Sequence, residues 1–297
     1  MNVLILPHIK IHNANALSSP FTIGFPAMSA WLGFVHALER KLNKAGFSEL
    51  MLRSAAVISH QCDVQTHRGD GDFVHSIIGT GNPLTKEGAR PAFIEEARCH
   101  LDVSLIIEWE GDEDQVQSTD FKQQLLNMLA TMKVAGGDIL SVQPPFFRSV
   151  DGKNSHETQS LLRQLMPGYV LKERRDLMCE AMQQGEDAID ALLGYLTVNH
   201  ESEQQDDGTI IWRSQRKAKG WIVPIAIGFQ GISPLGEAKN QRDPSVPHRF
   251  AESVVTLGEF VMAHKIQHLD DVLWEYFPDV ENDLYLCQPL NIINQHE

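Results

Sequence analysis

The chain has 297 residues, of which 42% are hydrophobic and 22% are charged, a balance that excludes disorder on a large scale. A formal net charge of −14 argues against a free-standing nucleic-acid binder with a basic surface throughout. The charge is uneven, because residues 1–62 hold five basic and two acidic residues, a net charge of +3, which leaves −17 for the remainder. An ordinary acidic protein and a protein with a cationic inner surface both fit this distribution.

The four cysteines, Cys62, Cys99, Cys179 and Cys287, are far apart in the sequence. Such spacing predicts neither a disulfide framework nor a zinc site. The first apolar run is interrupted by Pro7, and no stretch approaches the roughly 20 apolar residues needed to cross a bilayer. We therefore expect a soluble protein of the cytoplasm.

The N-terminal stretch predicts a strand followed by a polar loop. The apolar run of residues 3–6 gives way to alternation that places His8, Lys10 and His12 on one face of a strand. Residues 13–20 then supply short polar side chains and no acid. A loop of this composition suits contacts with base edges or with phosphates.

A helix is predicted to follow from Pro26. Its apolar positions recur at three- and four-residue spacing, and they are Met28, Trp31, Val35, Leu38 and Leu42. The start of a helix beside a polar loop collects free amides and the positive end of the helix dipole, which favour an anion. A unit that carries only turn chemistry is the alternative interpretation.

Several motifs in this region resemble one known family. They are HNANALSSP at residues 12–20, GFPA at residues 24–27 and GFVHAL at residues 33–38. In these motifs the chain resembles the second Csy subunit of type I-F CRISPR surveillance (Cascade-like) complexes. Further matches are NPL at residues 82–84, FAES at residues 250–253 and LGEF at residues 257–260.

The resemblance implies a member of the repeat-associated RNA-binding (RAMP) superfamily that acts in antiviral defence. It also implies that the chain binds the 5′ handle of the guide RNA (crRNA) beside the large Csy subunit and the first backbone Csy subunit. Target DNA would be a partner only through the assembled complex, and no membrane partner is expected.

The predicted elements over residues 1–148 follow the order strand, helix, strand, strand, helix, strand. This is the order of α+β ferredoxin-like (RRM-like) domains, in which a four-stranded antiparallel sheet carries both helices on one face. The later strands are predicted at residues 50–59, 101–109 and 138–142, and Ser118 can cap the second helix. The other face of the sheet would be free to bind unstacked bases.

Residues 60–90 have little periodicity and predict a long excursion from this first domain. The resemblance implies a thumb-like projection here. His67 and Arg68 are its candidate RNA contacts, together with Asn82 from the NPL motif.

Residues 149–297 predict a second region of mixed helices and strands. Helical runs are predicted through residues 161–165 and residues 171–196, with Lys172 and Arg174 on a solvated face of balanced charge.

The densest basic patch lies at residues 209–220, which contain no acid. Because Trp212 and Trp221 flank it, we predict a hairpin with a cationic tip and an aromatic base that contacts phosphates and stacks on bases. An exposed sheet edge protected by lysine is the alternative.

A loop spaced by glycines then leads to Lys239, Arg242 and Arg249, where a backbone could approach a ligand closely. The acidic segment at residues 270–283 predicts a surface helix, with a partner contact as the alternative.

The histidines raise the possibility of catalysis. Candidates for acid–base chemistry on a ribose 2′-hydroxyl are His8, His12, His36 and His67. No acid nearby in sequence would orient their rings, so a metal-independent ribonuclease that processes the CRISPR repeat stays the alternative function. His8 and His12 lack a third metal ligand, and we expect no metal and no cofactor. A small-ligand sensor is a third class, which would need a closed apolar pocket.

The expected function is that of a non-catalytic crRNA-binding subunit. Its candidate RNA contacts are Lys10, His12, Asn13, Asn15, Ser18, Ser19, His67, Arg68, Asn82, Arg213, Arg216, Lys217, Lys219, Trp221, Lys239, Arg242 and Arg249.

Overall fold

A computed structural model describes residues 1–79, 84–90 and 96–293. In these ranges the strands are β1 (Asn2–Asn15), β2 (Leu17–Ser19), β3 (Thr22–Ile23), β4 (Met51–Val64), β5 (Thr66–His67), β6 (Ser76–Ile77), β7 (Arg98–Glu110), β8 (Lys133–Val134), β9 (Gly137–Ser141), β10 (Phe146–Ser149), β11 (Tyr169–Glu173), β12 (Asn199–Gln204), β13 (Ile210–Gln215), β14 (Ile222–Gly231), β15 (Ala251–Met262), β16 (Trp274–Asp279) and β17 (Leu284–Pro289).

The helices in the same ranges are α1 (Met28–Lys44), α2 (Glu113–Val116), α3 (Thr119–Leu129), α4 (Ser155–Arg163), α5 (Arg175–Gln183), α6 (Ala188–Leu196) and α7 (Leu290–Ile293). Two 3₁₀ turns lie at Ala263–Lys265 and Leu269–Asp271. None of these helices has the length and apolar character that would let it span a membrane.

One antiparallel sheet of eleven strands organises the described chain, so the fold belongs to the mixed α+β class. The strand order is β11-β15-β14-β17-β16-β4-β7-β1-β9-β8, and β10 also pairs with β1. The four strands predicted for residues 1–148 are neighbours in the order β4-β7-β1-β9, with antiparallel pairing throughout. Both β11 and β16 pair with β4, so the sheet continues into the second half of the chain. The domain division after residue 148 stays a prediction.

The central strand β1 is buried on both faces in its first half. Leu4 and Leu6 join the core beneath α1 and α3, whereas Val3 and Ile5 join a second core on the opposite face. A β-bulge between Leu6 and Ile9 adds a residue relative to β7, which returns Ile9 to the same face as Leu6. The bulge explains how Leu6 and Ile9, three residues apart, lie on the same face of the sheet.

The C-terminal half covers part of the face opposite α1. Leu161 and Leu162 of α4 are buried in the same cluster as Ile5. The prediction that this face is free is therefore wrong for the part around Ile5. The part around Lys10 and His12 stays exposed, and we call it the open part of the sheet.

Both helices predicted for the first half are present. In α1 the residues predicted to face the core are buried, and they are Met28, Trp31, Val35, Leu38 and Leu42. The α3 helix begins after Ser118, whose hydroxyl accepts a hydrogen bond from the Phe121 backbone amide at 3.1 Å.

The structure corrects two predictions for the second half. The helical run predicted for residues 171–196 begins as strand β11, because Val170 and Leu171 enter the cores on opposite faces of the sheet. The acidic segment predicted as a surface helix contains strand β16 instead. Its Trp274 is fully buried, and the indole N–H donates to the Leu171 carbonyl at 3.3 Å.

Strand β11 also borders a cleft of about 850 Å³ lined by paired charges. The pairs are Lys172–Asp271, Arg174–Glu259 and Arg175–Glu173. These charges thus surround a cleft, whereas the sequence predicted a solvated helical face. Glu173 is only 5% exposed, and burial raises its pKa to about 6 in spite of the opposing effect of Arg175.

Replacing Glu173 with Gln should alter how stability depends on pH. The folded state holds the Glu173 proton more tightly than the unfolded chain, in which the pKa is near 4.5, so the free energy of unfolding falls as pH rises from 4.5 to about 6. The variant should lose this contribution, of order 2 kcal/mol, in urea denaturation measured at several pH values. Glu180→Gln removes an exposed carboxyl from α5 and controls for the loss of charge. An unchanged pH slope in Glu173→Gln would contradict the assignment.

Candidate nucleic-acid interface

The open part of the sheet carries two pairs of stacked histidine rings. His8 of β1 stacks on His60 of β4 with ring centres 4.1 Å apart. His12 of β1 stacks on His100 of β7 with ring centres 4.5 Å apart. Lys10 lies between His8 and His12 on β1 and is exposed. The predicted strand face thus gains ring partners from two other strands.

A carboxylate and a hydroxyl hold the first histidine pair. His8 Nδ1 lies 2.9 Å from Asp102 Oδ1. Asp102 is distant from His8 in the sequence, so the contact could not be predicted from sequence. His60 Nδ1 lies 2.6 Å from the Pro167 carbonyl oxygen and must donate to it, so Nε2 accepts from the Ser104 hydroxyl at 2.7 Å. Burial lowers the pKa of His60. Burial thus favours the neutral form of the His60 ring, and both ring nitrogens have partners within the protein.

His8, His60 and Asp102 are also the group that could hold a metal ion. One ligand atom from each lies within 4.8 Å of the others, and two imidazoles with a carboxylate suit zinc or iron. Nothing in the sequence indicated that His60 and Asp102 could complete a metal site with His8, because they lie on β4 and β7 and His8 lies on β1. Each of the three side chains already makes a hydrogen bond inside this group or with its neighbours, which a cation would have to replace.

The second histidine pair lies beside Asn13. The Asn13 backbone N–H donates to His100 Nδ1 at 3.2 Å, and Gln65 Nε2 donates to Asn13 Oδ1 at 3.2 Å. Asn13 has a φ of +62°, in the left-handed region that asparagine tolerates better than most residues. Asn13 therefore fixes the local backbone, and its side-chain oxygen is engaged within the protein.

The acid-free loop forms a small hairpin of β2 and β3. Asn15 closes a turn on Leu17, since its amide nitrogen donates to the Leu17 carbonyl at 3.0 Å and its oxygen accepts from the Leu17 N–H at 3.1 Å. The hydroxyls of Ser18 and Ser19 lie 2.9 and 2.6 Å from Thr22 Oγ1. The polar side chains of this hairpin thus order its own backbone.

A cleft of about 440 Å³ separates this hairpin from the start of α1. Asn15, Ser18, Ala27 and Arg98 are among the residues that line it, and Arg98 is ion-paired with Glu96 there. The first turn of α1 has no acidic residue and no side-chain cap. Its amides and dipole therefore favour a negatively charged group in the cleft, and the anion site predicted from the sequence stays a prediction.

The basic patch lies in a different hairpin from the one predicted. Strand β13 pairs with β12, and the tip at residues 205–209 contains Asp206 and Asp207, so the prediction of a cationic tip is wrong. Arg213 pairs with Glu203 of β12 at 3.1 Å. The sequence predicted that β13 pairs with β14, which is an apolar strand, whereas β14 pairs with β15. Strand β12, the actual partner of β13, is polar and fully exposed, so it lacks the apolar pattern by which a strand is predicted.

Two of the four basic residues of the patch, Arg213 and Lys217, are ion-paired within the chain. Lys217 Nζ lies 2.5 Å from Glu186 Oε1 and 4.6 Å from the ring centre of Tyr195. Arg216 and Lys219 are exposed and have no ion pair within the described part of the chain. These two cations are therefore the ones available to an external phosphate.

Trp221 stands at the mouth of a pocket of about 290 Å³, between the end of β4 and the start of β14. It is 52% exposed and contacts Tyr169 edge-on at 5.3 Å between ring centres. Phe260 contacts the indole at 5.0 Å and Phe25 at 5.2 Å. Of the two tryptophans predicted to form the aromatic base of the hairpin, Trp221 thus belongs to an aromatic pocket, whereas Trp212 is exposed on β13 and is not among the residues that line it.

The chain matches the family model described as CRISPR-associated protein (Cas_Csy2) over residues 4–287. It is also 32% identical over 310 aligned positions to the CRISPR-associated protein Csy2 of Pseudomonas aeruginosa (strain UCBPP-PA14), which covers 95% of this chain and 94% of that protein. The chain belongs to the Csy2 family. The resemblance to the second Csy subunit of type I-F CRISPR systems is thereby confirmed.

The Csy2 family match spans every candidate RNA contact in the described residues, but the structure distributes these contacts widely. His67 pairs within the β5–β6 hairpin, and Arg68 follows it in an exposed position. Asn82 lies outside the described residues. Lys239 and Arg242 are exposed in the loop between β14 and β15, whereas Arg249 is ion-paired with Asp283.

Sequence reasoning did not select several residues of the candidate interface. Among them are His60, Arg98, His100, Asp102, Tyr169 and Phe260. Strict alternation in β7 put Asp102 on the outward face, which was a usable signal. No local pattern could have paired Tyr169 or Phe260 with Trp221, because their strands are distant in sequence.

The His60 ring should titrate below its ordinary pKa of 6.5, because burial disfavours the imidazolium. The measurement is a pH titration of ring resonances in labelled protein, with His60→Gln used to assign the signal. A His60 midpoint at or above 6.5 would contradict the neutral, doubly hydrogen-bonded ring.

Proposed function

We propose that the chain is a non-catalytic crRNA-binding subunit that holds the 5′ handle of the guide together with the large Csy subunit and the first backbone subunit. Membership of the Csy2 family makes it a subunit of a type I-F CRISPR complex. The binding of crRNA and the identity of the neighbouring subunits are the proposed part.

The cleft between the β2–β3 hairpin and the start of α1 is the observation that carries the proposal. It joins an acid-free hairpin, an uncapped helix start and the Arg98–Glu96 ion pair in one space of about 440 Å³. Backbone amides at a helix start bind phosphate oxygens, and the Arg98 guanidinium would bind a phosphate in exchange for Glu96. A phosphate of a single-stranded handle fits this chemistry better than a neutral metabolite does.

The strand order supports a ferredoxin-like unit as the scaffold of this site. Strands β4, β7, β1 and β9 are adjacent and antiparallel, and α1 and α3 pack on the same face. RNA-recognition modules of this architecture use the face away from the helices. Here only the open part of the sheet, with Lys10 and His12, would remain for that use.

The overall charge favours binding within an assembly. A net charge of −14 repels phosphate at long range, so the isolated chain should bind RNA weakly. Basic surfaces contributed by partner subunits would offset this repulsion. The proposal therefore concerns the complex and its guide.

One observation favours the ribonuclease alternative, since Asp102 orients His8 beside a second histidine. General acid–base catalysis needs a ring nitrogen within reach of the substrate. Both nitrogens of His60 are hydrogen-bonded inside the protein, which leaves it no nitrogen for proton transfer in this arrangement. This geometry argues against His60 as one member of an acid–base pair.

The complex assembled with its partner subunits should retain its guide RNA uncut, with and without divalent metal. His12→Ala and the double change His8→Ala, His60→Ala should leave the length of the recovered guide unchanged. Denaturing gels of RNA incubated with the complex provide the measurement, and His36→Ala in α1 is the control. Cleavage by the wild-type complex that disappears in either variant would establish the ribonuclease instead.

The dependence of guide affinity on salt should separate the paired from the unpaired cations. Replacing Arg216 and Lys219 with Gln should flatten the log–log salt slope by roughly 0.7 for each lost phosphate contact, at most about 1.4. The matched change of Arg213 and Lys217, which are ion-paired within the chain, should have a smaller effect. The measurement is the affinity of the assembled complex for guides across a salt series.

A scrambled handle supplies the second comparison in this experiment. Phosphate contacts carry no base information, so the loss on replacing Arg216 and Lys219 should be the same for native and scrambled handles. A slope unchanged from the wild-type complex on replacing Arg216 and Lys219 would remove these two residues from the interface.

A further inference from the structure

We propose that the aromatic pocket at Trp221 receives one unstacked nucleobase of single-stranded RNA. The proposal rests on the crRNA-binding function proposed above and adds a place where a base is held. Lys10, His12 and the cleft at α1 offer groups for phosphates, whereas this pocket offers a surface for an aromatic ring.

The size and walls of the pocket suit a planar group. Its volume of about 290 Å³ is near the lower end for small-molecule sites, which is roughly 300 Å³. Tyr169 and Phe260 both pack against Trp221, so the indole is fixed before a ligand arrives. Half of Trp221 nevertheless remains exposed. A fixed, accessible aromatic ring is the platform on which proteins stack single-stranded bases.

The sheet edge beside the pocket supplies hydrogen-bonding groups. Strand β11 pairs with β4 only at Ile58 and Ser59, and within the described residues no strand pairs with that edge of β4 beyond Ser59. His60, Gln61 and Cys62 follow at the pocket wall. Backbone N–H and C=O groups on an unpaired strand edge point outward at alternate residues and need partners. The polar edge of a base provides donors and acceptors of this kind.

Charge distinguishes this pocket from a phosphate site. The described residues that line it include no Lys or Arg, so a free phosphate finds no cation inside. The cations Arg216 and Lys219 precede Trp221 closely in sequence and are exposed. A neutral base in the pocket with its phosphates outside, toward these cations, matches both features. An apolar side chain of a partner subunit would use the lining but not the cations.

The test is a double-mutant cycle in the assembled complex. Guides that carry a single abasic nucleotide at each handle position are compared with the native guide, in wild-type and Trp221→Ala complexes. Trp221→Ala should weaken binding of the native guide about 5- to 100-fold, the range for loss of one stacked base. It should cause no further loss for the one abasic guide that lacks the base held in the pocket. Trp221→Phe should recover most of the affinity.

Trp212→Ala is the matched control, because Trp212 is an exposed tryptophan on β13 that is not among the pocket residues. An equal loss from Trp221→Ala with every abasic guide would overturn the proposal. Loss of subunit assembly from Trp221→Ala in the absence of RNA would overturn it in favour of a partner side chain in the pocket. If the wild-type complex retained no guide, the proposed function itself would fail, so the two failures are distinguishable.

Discussion

The position of β1 in the middle of the sheet is the constraint on which the described fold depends. It pairs with β7 along one side and with β9 and β10 along the other, so its backbone groups are satisfied without water. Its first half is buried on both faces, and its second half carries Lys10 and His12 on an open one. The bulge after Leu6 allows one strand to serve both purposes, since it keeps the α1 side apolar throughout.

The covering of the opposite face links the second half of the chain to the first. Helix α4 packs on Ile5, and Trp274 of β16 enters the core beneath α1. The polar groups of the open part begin where this covering ends, at His8 and His60. The extent of α4 and the 3₁₀ turns therefore sets how much of this face of the sheet stays uncovered.

The first half could be predicted from sequence because its elements are periodic over many residues. Strand β7 alternates over enough residues to exclude a helix, and α1 keeps its three- and four-residue apolar spacing over enough residues to exclude a strand. Strand β11 has five residues, and its apolar pair Val170–Leu171 is compatible with a helix until the two sides of the sheet are known. The histidine pairs and the Trp221 pocket were beyond prediction, because each joins residues from strands that only the tertiary fold brings together.

The same limit applies to charge. Residues 209–220 are basic in sequence, yet Arg213 and Lys217 are matched by Glu203 and Glu186 from other elements. A run of like charges therefore indicates a basic surface only where the neighbouring strands leave it unmatched. Here that reduces the patch to Arg216 and Lys219.

The β12–β13 hairpin has a practical consequence of its own. All twelve of its strand residues are exposed, so no part of the sheet's cores depends on their identity. Its tip lies in a surface turn, the kind of place where added residues disturb a fold least. A fluorophore or an affinity tag introduced at residues 205–209 would mark this subunit inside a large assembly while leaving the sheet and the Trp221 pocket intact.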